Sequence, residues 1–208
     1  GTGLLFGVQL SYNFKKPYLA DSPSDFWSRW HITLTRWFKS YVFYSLIRMN
    51  KNFRNSAAML VFILCGFWHG AELNFLAWGV FFAIWYKWNN SFKSIESRLI
   101  SNQKALKIFR IIKTQLLLYL SLILFRTDGL MSSIQYFFQL FNLNSEIDFF
   151  RLTKIVFAIT LGILIELIGW KWLENQKLVT KIFVFSIGII TIVFFSGKDP
   201  VPFNYFQF

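Results

Sequence analysis

The stretch that decides the fold is "LVFILCGFWHGAELNFLAW", residues 60–78. An apolar run leads into an imidazole at His69, a carboxylate follows at Glu72, and the apolar character resumes at Leu73. The apolar halves, residues 56–68 and 73–85, are each about 13 residues long, which suits buried core or re-entrant segments better than a full bilayer crossing of about 20. Between them stands "HGAELN", polar and marked by glycine. Polar or irregular backbone is tolerated at membrane depth only where protein or water surrounds it, so the pattern predicts a His69 wrapped by other helices.

Working outward, the composition supports a membrane setting. Of 208 residues 55% are hydrophobic and 21% aromatic, including 27 Phe and 9 Trp, while only 15% are charged. The net charge of +12 does not line one face as it would in a nucleic-acid binder; it clusters between apolar runs, so no nucleic-acid partner is expected. Residues 108–126, 155–172 and 179–197 are long and apolar enough to be transmembrane helices. Between residues 87 and 113 seven Lys or Arg side chains face a lone acid, Glu96, whereas Asp128, Glu146 and Asp148 follow Arg126. By the positive-inside rule the first connection is cytoplasmic, and Lys171, Lys177 and Lys181 put the next cytoplasmic connection on the same side. The segment 130–143, "LMSSIQYFFQLFNL", reads as an interfacial helix or a partial insertion.

The chain starts at Gly1, and residues 4–10 read as the end of an apolar helix, so the expectation is the C-terminal part of a longer membrane protein whose N-terminal helices are absent. No signal-peptide pattern opens it. The single Cys65 lies in an apolar run and reads as a small buried hydrophobe.

The chain has two histidines, and both adjoin tryptophan. His69 follows Trp68, between Gly66 and Gly70, whose small-xxx-small spacing lets another helix approach closely. Its role is open between an interhelical hydrogen bond and function. His31 lies in "SDFWSRWHITLTRWFKSYVFYSL", residues 24–46. At helical spacing Trp27, His31, Leu34, Phe38 and Tyr41 form one stripe beside Phe26, Trp30 and Trp37, with Arg29, Thr33, Arg36 and Ser40 opposite. This predicts one amphipathic helix, with Ser22 or Ser24 as N-cap, Pro23 early and Asp25 at the positive end of its dipole. An interfacial helix would not need an imidazole on its aromatic face, where an unpaired one is costly.

No third ligand accompanies the two histidines, which argues against a metal site. No nucleophile elbow or phosphate loop is present either. What remains is acid–base chemistry by imidazole.

The ordered pair "NFKKPYLADSPSDFWSRWHITLTRWFKSYVFYSL" (13–46) and "CGFWHGAELNFLAWGVFFAIW" (65–85) resembles the signature region of the membrane-bound O-acyltransferase (MBOAT) family, in its alginate O-acetyltransferase-like bacterial branch. The terminal "FNYFQF" is similar to the end of that branch. The resemblance implies an all-α, polytopic integral membrane protein. It would be one domain over residues 1–208, with residues 1–90 a motif-bearing catalytic core and residues 91–208 C-terminal transmembrane helices.

It further implies a multi-pass protein of the bacterial cytoplasmic membrane that works on a polysaccharide or another cell-envelope acceptor. His69 and His31 are the implied catalytic residues, and Trp27, Trp30, Trp68, Arg29, Asn74 and Glu72 the implied substrate or tunnel lining. No permanently bound cofactor is implied. Acetyl-CoA, or another acyl thioester such as an acyl-carrier protein, is the donor, and the implied partners are the lipid bilayer and an extracytoplasmic acceptor or partner transferase.

Several roles stay open at this level. Arg29 and Arg36 either meet donor phosphates or are solvated. Glu72 and Asn74 either orient His69 or cap a helix. Glu166 reads as an interhelical hydrogen-bonding group. A proton-coupled transporter or a non-catalytic scaffold are the rival classes. The first should show repeated halves, which are not evident, and the second leaves the ordered histidine motifs unexplained.

Overall fold

The structure is a computed structural model that describes residues 6–139 and, further on, residues 175–177, 179–180, 182–184 and 186–188. The chain divides into two compact units, Gly1–Ser145 and Glu146–Phe208. In the second unit the described residues between 179 and 188 are helical, at the start of the span read over 179–197. The span 155–172, Glu166, Lys171 and the terminal "FNYFQF" lie outside the described residues.

The first unit is all-helical among its described residues. Helix α1 (Pro23–Arg29) begins as the sequence predicts. Ser22 caps it, its hydroxyl accepting from the Asp25 N–H, with Pro23 at the first position and Asp25 in the first turn. It does not continue to residue 46, however. Trp30 turns extended and His31 takes the left-handed conformation (φ 46°, ψ 50°) before α2 (Ile32–Phe38) starts. A π-turn over Lys39–Phe43 then leads into α3 (Tyr44–Met49). The single amphipathic helix expected over 24–46 is therefore a chain of short pieces. No glycine or proline marks the break; residues outside the helix create it, as described below.

Helix α4 (Arg54–His69) is short, with 16 residues, as the sequence indicates. Helix α5 (Leu73–Leu99) is not, and with 27 residues it runs on well past Trp85. The expectation of a second half-length segment is corrected here. Residues 86–99 contain no breaker, and their polar groups find partners instead of ending the helix. Glu96, 7% exposed, receives a hydrogen bond from Arg110 Nε at 2.8 Å and another from Lys113. Arg110 also donates to the Lys93 carbonyl and to Ser97 Oγ, both at 2.9 Å. Burial works to raise the Glu96 carboxyl, but these hydrogen bonds outweigh it and hold the group below the ordinary glutamate range.

Helix α6 (Gln103–Arg126) contains the predicted span 108–126. It is the one helix among the described residues long and apolar enough to cross a membrane, and Ile108, Ile112, Leu116 and Leu122 stand exposed along it. Exposed apolar side chains along a 24-residue helix are what lipid contact requires. Helix α7 (Leu130–Gln139) follows in the segment read as an interfacial helix or partial insertion. Residues 6–10, expected to end an apolar helix, form a turn and irregular chain.

Helices α4 and α5 make the most extensive contact in the unit, and glycine sets their separation. A Cβ on Gly66 would lie 2.4 Å from the Phe75 carbonyl oxygen and 3.2 Å from Gly79 Cα, while one on Gly79 would lie 2.6 Å from the Phe62 carbonyl oxygen. Backbone meets backbone at this crossing, as the small-residue spacing predicts for Gly66. Gly70 is not part of it. Gly70 ends α4 and leaves room for the Phe75 ring, which a Cβ there would meet at 2.5 Å. The core beside the crossing contains Phe26, Phe38, Cys65, Trp78, Phe82 and Trp85, so Cys65 is a buried hydrophobe as read.

Candidate active site

His69 is the last residue of α4, where the helix must stop for Gly70 and the chain must turn into α5. Its ring lies at 4.8 Å from Trp68, 5.4 Å from Trp78 and 4.8 Å from Phe125, all edge-on (centroid distances). Trp78 comes from α5 and Phe125 from α6, so three helices converge on this imidazole. Other helices thus wrap His69, as the polar break in the apolar run predicts. Among the described residues no hydrogen bond holds the ring; aromatic edges and faces alone locate it.

His31 reaches the same place from the break between α1 and α2. The Trp68 indole is 6.5 Å from His31 and 4.8 Å from His69, so one ring touches both histidines. The left-handed backbone at His31 costs about 1–2 kcal/mol for a residue with a Cβ. A strap over residues 13–15 offsets that cost by pairing the backbone groups the break sets free. Ile32 N–H donates to the Asn13 carbonyl at 2.9 Å and Lys15 N–H donates to the Arg29 carbonyl at 2.8 Å. The Asn13 side chain completes the joint, its Oδ1 accepting from Thr33 N–H at 3.0 Å and Thr33 Oγ1 at 2.9 Å, and its Nδ2 donating to His31 Nδ1 at 3.4 Å. Phe14 then packs edge-on against Trp30 at 4.8 Å.

The other residues read as lining are placed less uniformly. Trp27 touches Phe62, Phe82 and Trp78, one ring removed from His69, and helps line a mainly apolar cavity of about 160 Å³ with Leu34, Phe38, Val61 and Cys65. Trp30 stacks on Phe26 at 5.7 Å. Arg29 is engaged by Asp25, Nε to Oδ1 at 2.8 Å, within α1, and Arg36 is exposed. Asn74 does not orient His69. Buried in α5, it donates to the carbonyls of Leu124 (3.2 Å) and Thr127 (2.9 Å), satisfying acceptors that the end of α6 leaves open. Glu72 is exposed at the N-cap of α5, and its side chain makes no capping bond. Of the two sequence readings of these residues, helix-end satisfaction holds for Asn74 and ring orientation for neither.

Three side chains of the site escape a sequence reading: Asn13, Trp78 and Phe125. Asn13 and Trp78 lie inside the two quoted motifs but carry no titratable group. Phe125 lies in an apolar span where nothing distinguishes it from its neighbours.

The sequence around this site is similar to that of known proteins. The description "MBOAT, membrane-bound O-acyltransferase family" matches residues 2–87, which contain both histidines. A probable alginate O-acetylase of Pseudomonas aeruginosa is 30% identical over 193 residues, covering 87% of this chain and 35% of its own length. A peptidoglycan O-acetyltransferase of Helicobacter pylori is 43% identical over 88 residues (40% of this chain, 16% of its own). A teichoic acid D-alanyltransferase of Bacillus subtilis is 31% identical over 113 residues (47% and 29%). The chain spans about a third of the length of the first of these relatives, and less of the other two.

Proposed function

The chain belongs to the membrane-bound O-acyltransferase family, in the branch of the alginate O-acetylases, and from that premise we propose that its parent protein transfers an acyl group, acetyl by preference, from a thioester to a hydroxyl of an extracytoplasmic acceptor. The observation that supports this reading is the meeting of two histidines, from separate segments of sequence, on one indole. Such a pair supplies both parts of acyl transfer to oxygen. His69 takes the proton of the acceptor hydroxyl as its oxygen attacks the thioester carbonyl, a contribution of about 10²–10⁴ in rate. His31 donates to the carbonyl oxygen as it gains negative charge, or orients the acceptor. When the tetrahedral adduct collapses the C–S bond breaks, the new C–O ester remains, and the thiolate leaves with the proton that His69 holds.

In this proposal the protein is a multi-pass protein of the bacterial cytoplasmic membrane. Coenzyme A or an acyl-carrier protein brings the thioester from the cytoplasmic side, and a cell-envelope polymer or a partner transferase receives the acyl group on the other. The test is thioester turnover by the full-length parent in membranes, compared with His69→Ala and His31→Ala at matched expression and insertion. Loss of turnover in both variants is expected. Wild-type turnover in His69→Ala would overturn the assignment.

A further inference from the structure

The contact of Asn13 with His31 bears on which of the two ring nitrogens carries the proton. The carboxamide has one oxygen, which accepts, and one NH₂, which donates. Thr33 N–H, at 3.0 Å, can only donate, so the atom facing it must be the oxygen Oδ1. Thr33 Oγ1 sits on the same oxygen at 2.9 Å. The NH₂ is therefore the group turned towards His31 Nδ1, at 3.4 Å. A donor facing Nδ1 requires a lone pair there, and a neutral imidazole with a lone pair on Nδ1 carries its hydrogen on Nε2. Chain geometry leaves this arrangement little freedom. Asn13 is bonded through its own carbonyl to Ile32 N–H, and His31 sits in a left-handed conformation at the break before α2.

We propose that Asn13 is a positioning residue that locks neutral His31 as the Nε2–H tautomer, making His31 the hydrogen-bond donor of the site and leaving the base role to His69. This rests on the acyl-transfer reading above and divides the labour that reading leaves undivided. An imidazole with Nε2–H presents a donor to a developing oxyanion and has no free lone pair on that nitrogen to accept a proton from the acceptor hydroxyl. His69 makes no hydrogen bond among the described residues, so none of them fixes one tautomer of a group that has to take and return a proton.

The experiment uses the full-length parent, labelled with ¹⁵N-histidine, with His31→Gln to assign the His31 signals. Neutral His31 is expected to show an unprotonated Nδ1 and a protonated Nε2. The informative variant is Asn13→Asp, which keeps both acceptor contacts to Thr33 and replaces the NH₂ by a carboxylate oxygen that accepts from Nδ1–H. In this variant the His31 proton is expected to move to Nδ1, with kcat falling about 10- to 100-fold and KM for the thioester nearly unchanged. A purely structural role would instead leave the tautomer as it was. Asn13→Ala, lacking any partner for Nδ1, is expected to give a mixture of tautomers and an intermediate kcat.

A protonated Nδ1 in the wild type, an unmoved tautomer in Asn13→Asp, or a moved tautomer with full kcat would each overturn the proposal. The failure of the function itself looks different. There, His69→Ala and His31→Ala keep their turnover, whatever tautomer the spectra report.

Discussion

His31 is held by a hydrogen bond at Nδ1 and by a strained backbone, whereas His69, at the end of a regular helix, is held only by the aromatic rings around it. The difference is one of chemistry as well as of packing. A hydrogen bond distinguishes the two nitrogens of an imidazole; a ring edge or face does not. A site that needs one fixed donor and one exchangeable base obtains both from the same residue type by surrounding each with different neighbours. Trp68 touches both, so the two environments share a wall and are not independent.

The contrast can be broken at several points. The largest effect is expected at His69, where Ala and Gln should both lose about 10²–10⁴ in turnover, because an amide cannot take a proton. At His31 the two substitutions should separate. Ala removes a donor whose loss costs about 10²–10³, while His31→Gln keeps an N–H near the Nε2 position and should retain at least about tenfold more turnover than Ala. If Gln rescues His69 rather than His31, the roles are reversed.

Smaller effects test the walls. Gly79→Ala inserts a methyl group 2.6 Å from the Phe62 carbonyl at the α4–α5 crossing, and should lower stability by about 1–3 kcal/mol in a thermal or denaturant melt, with turnover falling as Trp78 shifts from His69. Asn74→Ala leaves the Leu124 and Thr127 carbonyls without this donor, for a loss of about 1–3 kcal/mol by the same assay.

The last effect is expected from Glu96→Gln, about 1–3 kcal/mol at neutral pH, because it leaves Arg110 and Lys113 without the little-exposed carboxylate that pairs them. Its signature is in the pH dependence. Because the folded carboxyl titrates below its ordinary value, its stabilising contribution is present above the ordinary glutamate range and is lost as pH falls through the lowered value. Melts of the wild type should therefore lose stability on acidification more steeply than those of Glu96→Gln.

How much of this was legible in sequence depended on whether the responsible groups were neighbours in the chain. The cap at Ser22, the close approach at Gly66, the short α4 and the apolar stretch inside α6 all follow from periodicity and from residues a turn apart. The break at His31 does not. Its cause is a strap 18 residues upstream, and the aromatic stripe reads the same whether the helix is continuous or not. The continuation of α5 past Trp85 was hidden for a related reason. Its charged half suggests a solvated connection until Arg110 and Lys113, on the next helix, are seen to meet Glu96. The two histidines were legible because an ionisable ring in an apolar run stands out; the asparagine that sets the state of one of them does not.

The ring pressed against His69 also gives the height of that imidazole along α6. Helix α6 rises about 36 Å over its 24 residues, somewhat more than the roughly 30 Å of bilayer hydrocarbon, and Phe125 is its penultimate residue. The imidazole is thus level with one end of that helix and not with its middle. In the membrane enzyme proposed above, with α6 crossing the bilayer, a donor entering from the end near residues 100–102 would have to extend across nearly the full thickness before its reactive carbon arrived. An acceptor presented at the Thr127 end would have almost no distance to cover, so the proposed reaction would ask for a slender arm on one side and would set no limit to bulk on the other.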